Sequence, residues 1–125
     1  MPGKIKVLAV DDDRLLRMSI ELFLEEQGYD VDTAPDVAQA MDALDRYRYE
    51  LVLTDLMLPD GDGLDVIRYA LQRNPDSKVI LMTAAEETVD VDAVMLAGAS
   101  EVLFKPCKLS LLVTRAREIL RESRL

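Results

Sequence analysis

Two spacings of apolar residues alternate along the chain. Short unbroken apolar runs are typical of strands buried on both faces of a sheet. Each run is followed by a stretch in which apolar residues recur three and four positions apart, which is typical of a helix packed on one side. The predicted strands are residues 5–10, 29–33, 51–54, 78–82 with Thr83 at the end, and 101–104.

The stretches between these strands contain helix start and stop signals. Asp13 is placed to cap a first helix that starts at Arg14, and Gly28 is placed to end it. The helical spacing is that of Leu15, Met18, Leu22 and Leu24 to Glu26. A second helix is predicted to begin at Pro35, and apolar residues between positions 64 and 71 mark a third. The fourth covers residues 86–97 and is ended by Gly98, and the fifth runs from residue 109 to about residue 123.

Strict alternation of five strands and five helices predicts an α/β fold. The apolar strands indicate a parallel sheet covered by helices on both faces, with right-handed crossovers. Five units suit an open, doubly wound sheet, most simply in the order 2-1-3-4-5. The sequence has 125 residues and no linker or repeat, so we expect one domain over residues 1–125.

Polar residues follow the predicted strands at one end. The third strand is followed by Asp55, the fourth ends at Thr83, and the fifth is followed by Lys105, while Asp11 and Asp12 follow the first. In the order 2-1-3-4-5 these four strands are neighbours. We therefore expect the five residues to face one pocket at the carboxyl edge, where ligands bind in such sheets.

The expected pocket has a consistent chemistry. Three neighbouring carboxylates repel one another, and a divalent cation relieves that repulsion. Oxygen ligands favour Mg²⁺, or Mn²⁺, whereas a zinc site is excluded because the chain has one Cys and no His. A carboxylate can form an acyl phosphate. A lysine and a threonine hydroxyl can bind phosphoryl oxygens, so the set suits phosphoryl transfer.

Composition limits the partners and the location. A net charge of −9 argues against direct contact with nucleic acid or with an anionic membrane surface. No apolar run approaches the length of a membrane span, and the first residues lack the apolar segment of a signal peptide. A single cysteine excludes an internal disulfide. These features favour a cytoplasmic protein.

Together these residues resemble the receiver domain of two-component response regulators, over essentially the whole chain. The family's fold is the same flavodoxin-like sheet of five strands with five helices. The matching motifs are Val10-Asp11-Asp12, Thr54-Asp55-Leu56-Met57-Leu58-Pro59 followed by Asp62-Gly63, Met82-Thr83-Ala84, Ala97-Gly98-Ala99 and Lys105-Pro106.

The resemblance implies a role for each matching position. Asp55 would accept a phosphoryl group from the phosphohistidine of a sensor histidine kinase or phosphotransfer protein, and Thr83 and Lys105 would contact it. Such a protein catalyses only its own phosphorylation and dephosphorylation, and a downstream protein or output domain reads its state. The implied Mg²⁺ ligands are Asp11, Asp12, Asp55 and the backbone carbonyl of Met57.

Two positions depart from the family's usual residues, and two others bear on the lifetime of the phosphoryl group. Val102 stands where many members have a Tyr or Phe whose ring moves on activation, so rotation of a large aromatic side chain is not the readout here. Cys107 replaces a frequent Phe and is expected to be a small, partly buried apolar residue. Met57 and Ala85 occupy the positions that tune hydrolysis. Neither can hydrogen-bond an attacking water, so we expect slow self-dephosphorylation.

The resemblance also places a signalling face on the fourth helix, fifth strand and fifth helix. Val91, Met95 and Val102 would form its apolar patch, unless Val91 and Met95 are core residues. The same face is a candidate homodimer interface, in which Glu101 could pair with arginines of the fifth helix across the dimer. Those arginines are Arg115 and Arg117, and simple solvation of all three charges is the alternative.

Three other functions fit the sequence less well. A haloacid-dehalogenase-like phosphohydrolase also uses an aspartyl phosphate, but it needs a second Asp two residues after the first, where this chain has Met57. A receiver fold that signals without phosphorylation is disfavoured because the acidic set, Thr83 and Lys105 are all present, but Val102 keeps it open as an alternative. A flavodoxin would need a phosphate-binding loop after the first strand, and the sequence there is Asp11-Asp12-Asp13.

Overall fold

The computed structural model of the chain describes residues 3–84 and 88–123. Helices and strands alternate through these ranges. In chain order they are β1 (Lys6–Val10), α1 (Arg14–Glu26), β2 (Asp30–Ala34), α2 (Val37–Arg46), β3 (Leu51–Thr54), β4 (Met57–Leu58), β5 (Gly61–Asp62), α3 (Gly63–Arg73), β6 (Lys78–Thr83), α4 (Val91–Leu96), β7 (Glu101–Phe104) and α5 (Leu109–Ser123).

The main sheet is parallel and has the order β2-β1-β3-β6-β7. Because β6 and β7 are its fourth and fifth strands in the chain, the predicted order 2-1-3-4-5 is confirmed. Val10 lies level with Ala34 on one side and Thr54 on the other, so the carboxyl ends of the strands are aligned. The short antiparallel hairpin β4–β5, between β3 and α3, was not predicted.

Two apolar layers lie on opposite faces of the sheet. On β1, Val7 and Ala9 belong to one layer and Leu8 and Val10 to the other, as the alternation of side chains along a strand requires. The first layer includes the buried sides of α1 and α5, and the second includes those of α2, α3 and α4. Coverage of both faces explains why the strands read as unbroken apolar runs.

Helix α1 carries two apolar stripes, and the sequence pattern does not say which faces the core. Ile20 and Leu24 are buried, and Leu16 packs beside them. Leu15 and Leu22 are 76% and 61% exposed. Met18, between them in helical spacing, is 45% exposed. The predicted spacing is therefore correct as evidence for a helix, and of its four leading apolar positions only Leu24 faces the core.

Several predicted boundaries shift. The second helix begins at Val37 after the cap Asp36, two residues beyond Pro35, because the Asp36 carboxylate accepts a hydrogen bond from Gln39 N at 2.8 Å. The second strand lies one residue later than predicted. The fourth helix covers only Val91–Leu96, with Asp90 as its cap, and part of its predicted start falls on residues 85–87, outside the described ranges.

The predicted caps at the ends of two helices are confirmed. Asp13 caps α1 by accepting from Leu16 N at 3.2 Å. Gly28 and Gly98 follow α1 and α4 with φ of +95° and +115°, a backbone region that glycine adopts readily. Among the helices of the described ranges, none has both the length and the apolar content needed to cross a bilayer.

Candidate functional site

The backbone fixes three of the expected site residues at the carboxyl edge of the sheet. Each of them directly follows a strand and extends that strand's hydrogen-bond ladder by one step. Asp11 N donates to Ala34 O at 3.1 Å, Asp55 N to Val10 O at 3.0 Å, and Lys105 N to Thr83 O at 2.8 Å. Their side chains therefore start from anchored backbone rather than from loose loops.

Lys105 bridges two of the carboxylates. Its Nζ lies 2.5 Å from Asp11 Oδ2 and 2.9 Å from Asp55 Oδ2. Asp11 is 3% exposed and Asp55 is 9% exposed, so both carboxylates are largely withdrawn from water. Charge-assisted hydrogen bonds of this kind offset much of the cost of burying the acids.

The same contacts perturb the lysine. Burial lowers the pKa of the Lys105 ammonium, but hydrogen bonds to Asp11 and Asp55 and their negative charges outweigh that effect. The net result is a pKa raised above the ordinary value of 10.5. Lys105 is therefore a fixed positive charge at neutral pH, held directly against the Asp55 carboxylate.

The acidic cluster has the donor chemistry of a site for a hard cation. Asp11, Asp12 and Asp55 each offer a carboxylate oxygen, and these oxygens lie within 4.8 Å of one another. Three carboxylates outnumber the ammonium of Lys105 that contacts two of them. All-oxygen donors and excess negative charge fit Mg²⁺ or Mn²⁺.

The other two expected residues lie at the margin of this cluster. Thr83 is buried at the end of β6, level with Phe104, and so directly beside the backbone of Lys105. Met57 is the first residue of β4, and its side chain is 68% exposed. Its N–H makes a long contact of 3.4 Å with Asp55 Oδ1, which places the Met57 backbone against the acidic site.

Close packing also fixes the segment that follows Asp55. A Cβ at Gly63 would lie 2.2 Å from the Asp55 carbonyl oxygen, so only glycine lets the two backbones approach this closely. Gly63 N donates to Leu56 O at 2.7 Å, and Asp62 caps α3 by accepting from Asp65 N at 3.2 Å. Asp62 and Gly63 therefore form the turn that starts α3.

Two residues at the site were missed by sequence reasoning. Arg17 Nη1 donates to the Asp11 carbonyl at 2.7 Å and holds the loop that follows β1. The sequence could have indicated this contact, because Arg17 lies one helical turn after the cap Asp13 and so faces back toward the loop that follows β1. Asp60 accepts hydrogen bonds from the N-terminus of α2, 23 and 22 residues earlier in the chain. A contact so distant in sequence leaves no local signal.

The residues of the expected signalling face differ in their exposure. Val91 and Met95 are 40% and 44% exposed, so the alternative that they are core residues is wrong. Leu96 on the same helix is 88% exposed. Val102 is half-buried and packs against the apolar layer that includes Val94. The short helix α4 thus exposes an apolar surface beside β7.

The charges expected to pair across a dimer have partners within the chain. Arg115 donates to Glu101, and a second nitrogen of Arg115 lies 3.0 Å from Glu118. Arg117 donates to Gln27 on α1 at 2.6 Å. The hypothesis of a cross-dimer pair with Glu101 is therefore not needed to satisfy these side chains, and simple solvation does not describe them either.

Cys107 follows the cis peptide bond between Lys105 and Pro106. It is half-buried and packs against the layer that includes α1 and α5. Burial raises the pKa of its thiol, against a smaller opposite effect of the Lys105 charge. A thiol of raised pKa is a poor nucleophile, which agrees with a packing role. Ala85, the other position expected to tune hydrolysis, lies outside the described residues.

The fold and the site together define a doubly wound α/β protein with an acidic cluster and a lysine at the switch point of its sheet. The sequence profile of the response regulator receiver domain matches residues 7–117. The chain therefore belongs to the response regulator receiver domain family of two-component systems. Members of this family are generally signalling proteins rather than enzymes with an external substrate.

Individual relatives agree with this assignment. The DNA-binding response regulator MtrA of Mycobacterium leprae is 37% identical over 94% of this chain and 52% of its own length. A CheY-like receiver domain from Methanospirillum hungatei has a TM-score of 0.90 and 27% identity, over 98% of both chains. TrrA from Thermotoga maritima, solved with Mg²⁺ and BeF, has a TM-score of 0.81 and 29% identity, over 92% of this chain and 98% of its own.

The chain spans about half the length of the curated relatives that it matches. Some of these longer proteins are named as DNA-binding response regulators. The prediction that nucleic acid is not a direct partner rests on the charge of these 125 residues alone. It does not extend to a longer protein of which they could be a part.

Proposed function

We propose that residues 1–125 form a single phospho-acceptor domain that switches a protein-interaction surface when Asp55 is phosphorylated. The observation that supports this most directly is the position of Asp55. Its buried carboxylate lies 2.9 Å from the ammonium of Lys105 and within 4.8 Å of two further carboxylates, at the edge of the sheet where ligands of such folds bind. The phosphoryl donor is a histidine kinase or a phosphotransfer protein.

The reaction is a single phosphoryl transfer. One carboxylate oxygen of Asp55 attacks the phosphorus atom of the donor's phosphohistidine. A P–O bond forms as the P–N bond breaks, and the electron pair of the P–N bond stays on the imidazole, which takes up a proton from solvent. The product is an acyl phosphate on Asp55 and a free histidine on the donor.

Each neighbouring group has a role in this transfer. Lys105 turns its ammonium from the Asp55 carboxylate to a phosphoryl oxygen, and the Thr83 hydroxyl binds another. Asp11, Asp12, Asp55 and the Met57 carbonyl hold Mg²⁺. When bound, Mg²⁺ offsets the repulsion between these carboxylates and the phosphoryl oxygens.

The signal leaves through the surface beside Lys105. Thr83 and Lys105 are joined by a backbone hydrogen bond between β6 and β7, and Val102 lies on β7 three residues before Lys105. A shift of these two strands on phosphorylation would move the apolar surface formed by Val91, Met95 and Val102. A downstream protein, an output domain or a second copy of the chain binds there.

The acceptor role is tested with a non-covalent phosphoryl mimic. Wild-type protein and the variant Asp55→Ala are titrated with beryllofluoride in the presence of Mg²⁺, and amide chemical shifts are followed by NMR. We expect saturable shifts around Asp11, Asp55 and Lys105 in the wild type only. Equal responses in the two proteins, or none in either, would leave signalling without phosphorylation as the better account.

A further inference from the structure

The hairpin β4–β5 follows Asp55 directly and carries the Met57 carbonyl, but its own pairing is weak. Only two residues of each strand are paired, Met57 with Asp62 and Leu58 with Gly61. Isolated two-stranded hairpins are marginally stable even when they are longer. A position as demanding as that of a metal ligand therefore needs support from outside the hairpin.

That support comes from the carboxylate of Asp60 at the tip of the hairpin. Its Oδ1 accepts from Val37 N at 2.8 Å and its Oδ2 from Ala38 N at 3.0 Å. Both donors belong to the first turn of α2, whose N–H groups have no partner within the helix. Asp60 is the only hairpin residue in the described chain with side-chain bonds to α2.

Packing places the hairpin against the same turn. A Cβ on Gly61 would lie 3.1 Å from Val37 Cγ2, so the backbone of the tip passes close to a buried side chain of α2. The two backbone N–H groups lower the pKa of Asp60 below its ordinary value. The carboxylate is therefore charged at neutral pH, and the positive end of the helix dipole favours that charge.

The base of the hairpin is held separately. Gly63 N donates to Leu56 O at 2.7 Å, and Gly63 packs against the Asp55 backbone. With the base fixed at β3 and the tip fixed at α2, residues 57–62 have little freedom to move. Loss of the contact at the tip would leave the hairpin held by its base, by its two residue pairs and by the packing of Leu58 against the apolar layer.

We propose that Asp60 is a positioning residue for the metal site, because it docks the hairpin on α2 and so fixes the Met57 carbonyl relative to Asp55. The inference rests on the proposed binding of Mg²⁺ by Asp11, Asp12, Asp55 and the Met57 carbonyl. Asp60 itself contacts neither metal nor phosphoryl group. It acts only through the backbone of residues 57–62.

The chain supplies a matched control. Asp36 caps the same helix by accepting from Gln39 N at 2.8 Å, and within the described ranges its side chain makes no hydrogen bond to the hairpin. Asp36→Ala therefore weakens the first turn of α2 without releasing the tip, whereas Asp60→Ala does both. Asp60→Asn keeps one acceptor oxygen in place and serves as the conservative variant if the alanine variant folds poorly.

The test measures Mg²⁺ affinity by titration calorimetry for the full chain and for these three variants. We expect Asp60→Ala to raise the Kd about tenfold or more, the usual effect of losing a group that orients a metal ligand. Asp36→Ala should stay within about twofold of the wild type, and Asp60→Asn should fall between them. Equal Kd values for Asp60→Ala and Asp36→Ala would overturn the positioning role.

A second readout does not depend on metal. Amide hydrogen exchange of residues 57–62 should be faster in Asp60→Ala than in the wild type, and unchanged in Asp36→Ala. Unchanged exchange in Asp60→Ala would refute docking of the hairpin by this carboxylate. Absence of Asp55-dependent Mg²⁺ binding in the wild type would instead refute the proposed metal site, and the positioning role with it, even if the exchange result held.

Discussion

Replacement of Gly63 by alanine should disturb both stability and the acceptor site. The added Cβ would lie 2.2 Å from the Asp55 carbonyl oxygen, 3.0 Å from the Asp55 carbonyl carbon and 3.1 Å from Leu56 Cα. Cβ atoms essentially never come within 3.0 Å of a non-bonded heavy atom. The two backbones must therefore separate by about 0.8 Å, the difference between 3.0 Å and the 2.2 Å to the Asp55 oxygen. The obstacle is main chain, which cannot rotate away as a side chain can.

The cost can be built from two parts. Overpacking against a rigid neighbour costs about 1–3 kcal/mol. The same displacement lengthens the hydrogen bond from Gly63 N to Leu56 O, now 2.7 Å, which contributes about 1 kcal/mol. The better helix propensity of alanine offsets up to about 1 kcal/mol, so we expect a loss of about 1–3 kcal/mol in the free energy of unfolding, or roughly 4–12 °C in Tm.

Two other glycines separate the possible causes. Gly28 has a φ of +95° and open space around its Cβ position, so Gly28→Ala tests backbone strain alone and should cost about 1 kcal/mol. Gly61→Ala meets only the Val37 side chain at 3.1 Å and should cost less than about 1 kcal/mol. Urea unfolding of the three variants is the assay. If Gly63→Ala were as stable as Gly61→Ala, the close approach to Asp55 would not be as described.

Three further predictions concern the site and its surface. The pKa of Lys105 is raised in the folded protein, so the stability that Lys105 contributes is complete below the unfolded pKa of 10.5 and is lost as pH rises through the folded pKa. The difference in unfolding free energy between the wild type and Lys105→Met should therefore be constant up to about pH 10 and become smaller above it. Met57→Asn should shorten the phosphoryl lifetime about 2- to 10-fold, the rate equivalent of one hydrogen bond, whereas Met57→Leu should not; equal lifetimes by quantitative mass measurement would refute this. Met95→Gln should change the unfolding free energy by less than about 0.5 kcal/mol, because Met95 is 44% exposed, yet weaken binding of a partner or second copy; a large loss of stability would place Met95 in the core.

The architecture of the sheet was predictable because its strands are buried on both faces. In a chain whose strands and helices alternate, a short apolar run such as Leu51–Thr54 is best interpreted as a buried strand. The polar residue that follows it, Asp55, marks the end of that strand. The positions of Asp55 and Lys105 followed from that, since parallel strands align their carboxyl ends. The family resemblance then supplied roles that strand order alone does not give.

Other features depend on contacts that local sequence does not encode. Helix α1 has two apolar stripes of the same period, and only packing decides that Ile20 faces the core while Leu22 faces outward. In the sequence Asp60 is one more acid in a turn, although it accepts hydrogen bonds from the first turn of a helix more than twenty residues away. The intrachain partner of Arg115, Glu101 on β7, likewise depends on how α5 lies against the sheet.

The central claim is that Asp55 is the phosphoryl acceptor. It is tested most directly by incubating the protein with Mg²⁺ and a small acyl phosphate donor and measuring the intact mass of wild type and Asp55→Asn. We predict that the wild type gains the mass of one phosphoryl group, labile to alkali as an acyl phosphate is, and that Asp55→Asn gains none. A phosphoryl group on Asp55→Asn at the same level, or none on the wild type while Mg²⁺ binds, would contradict the claim.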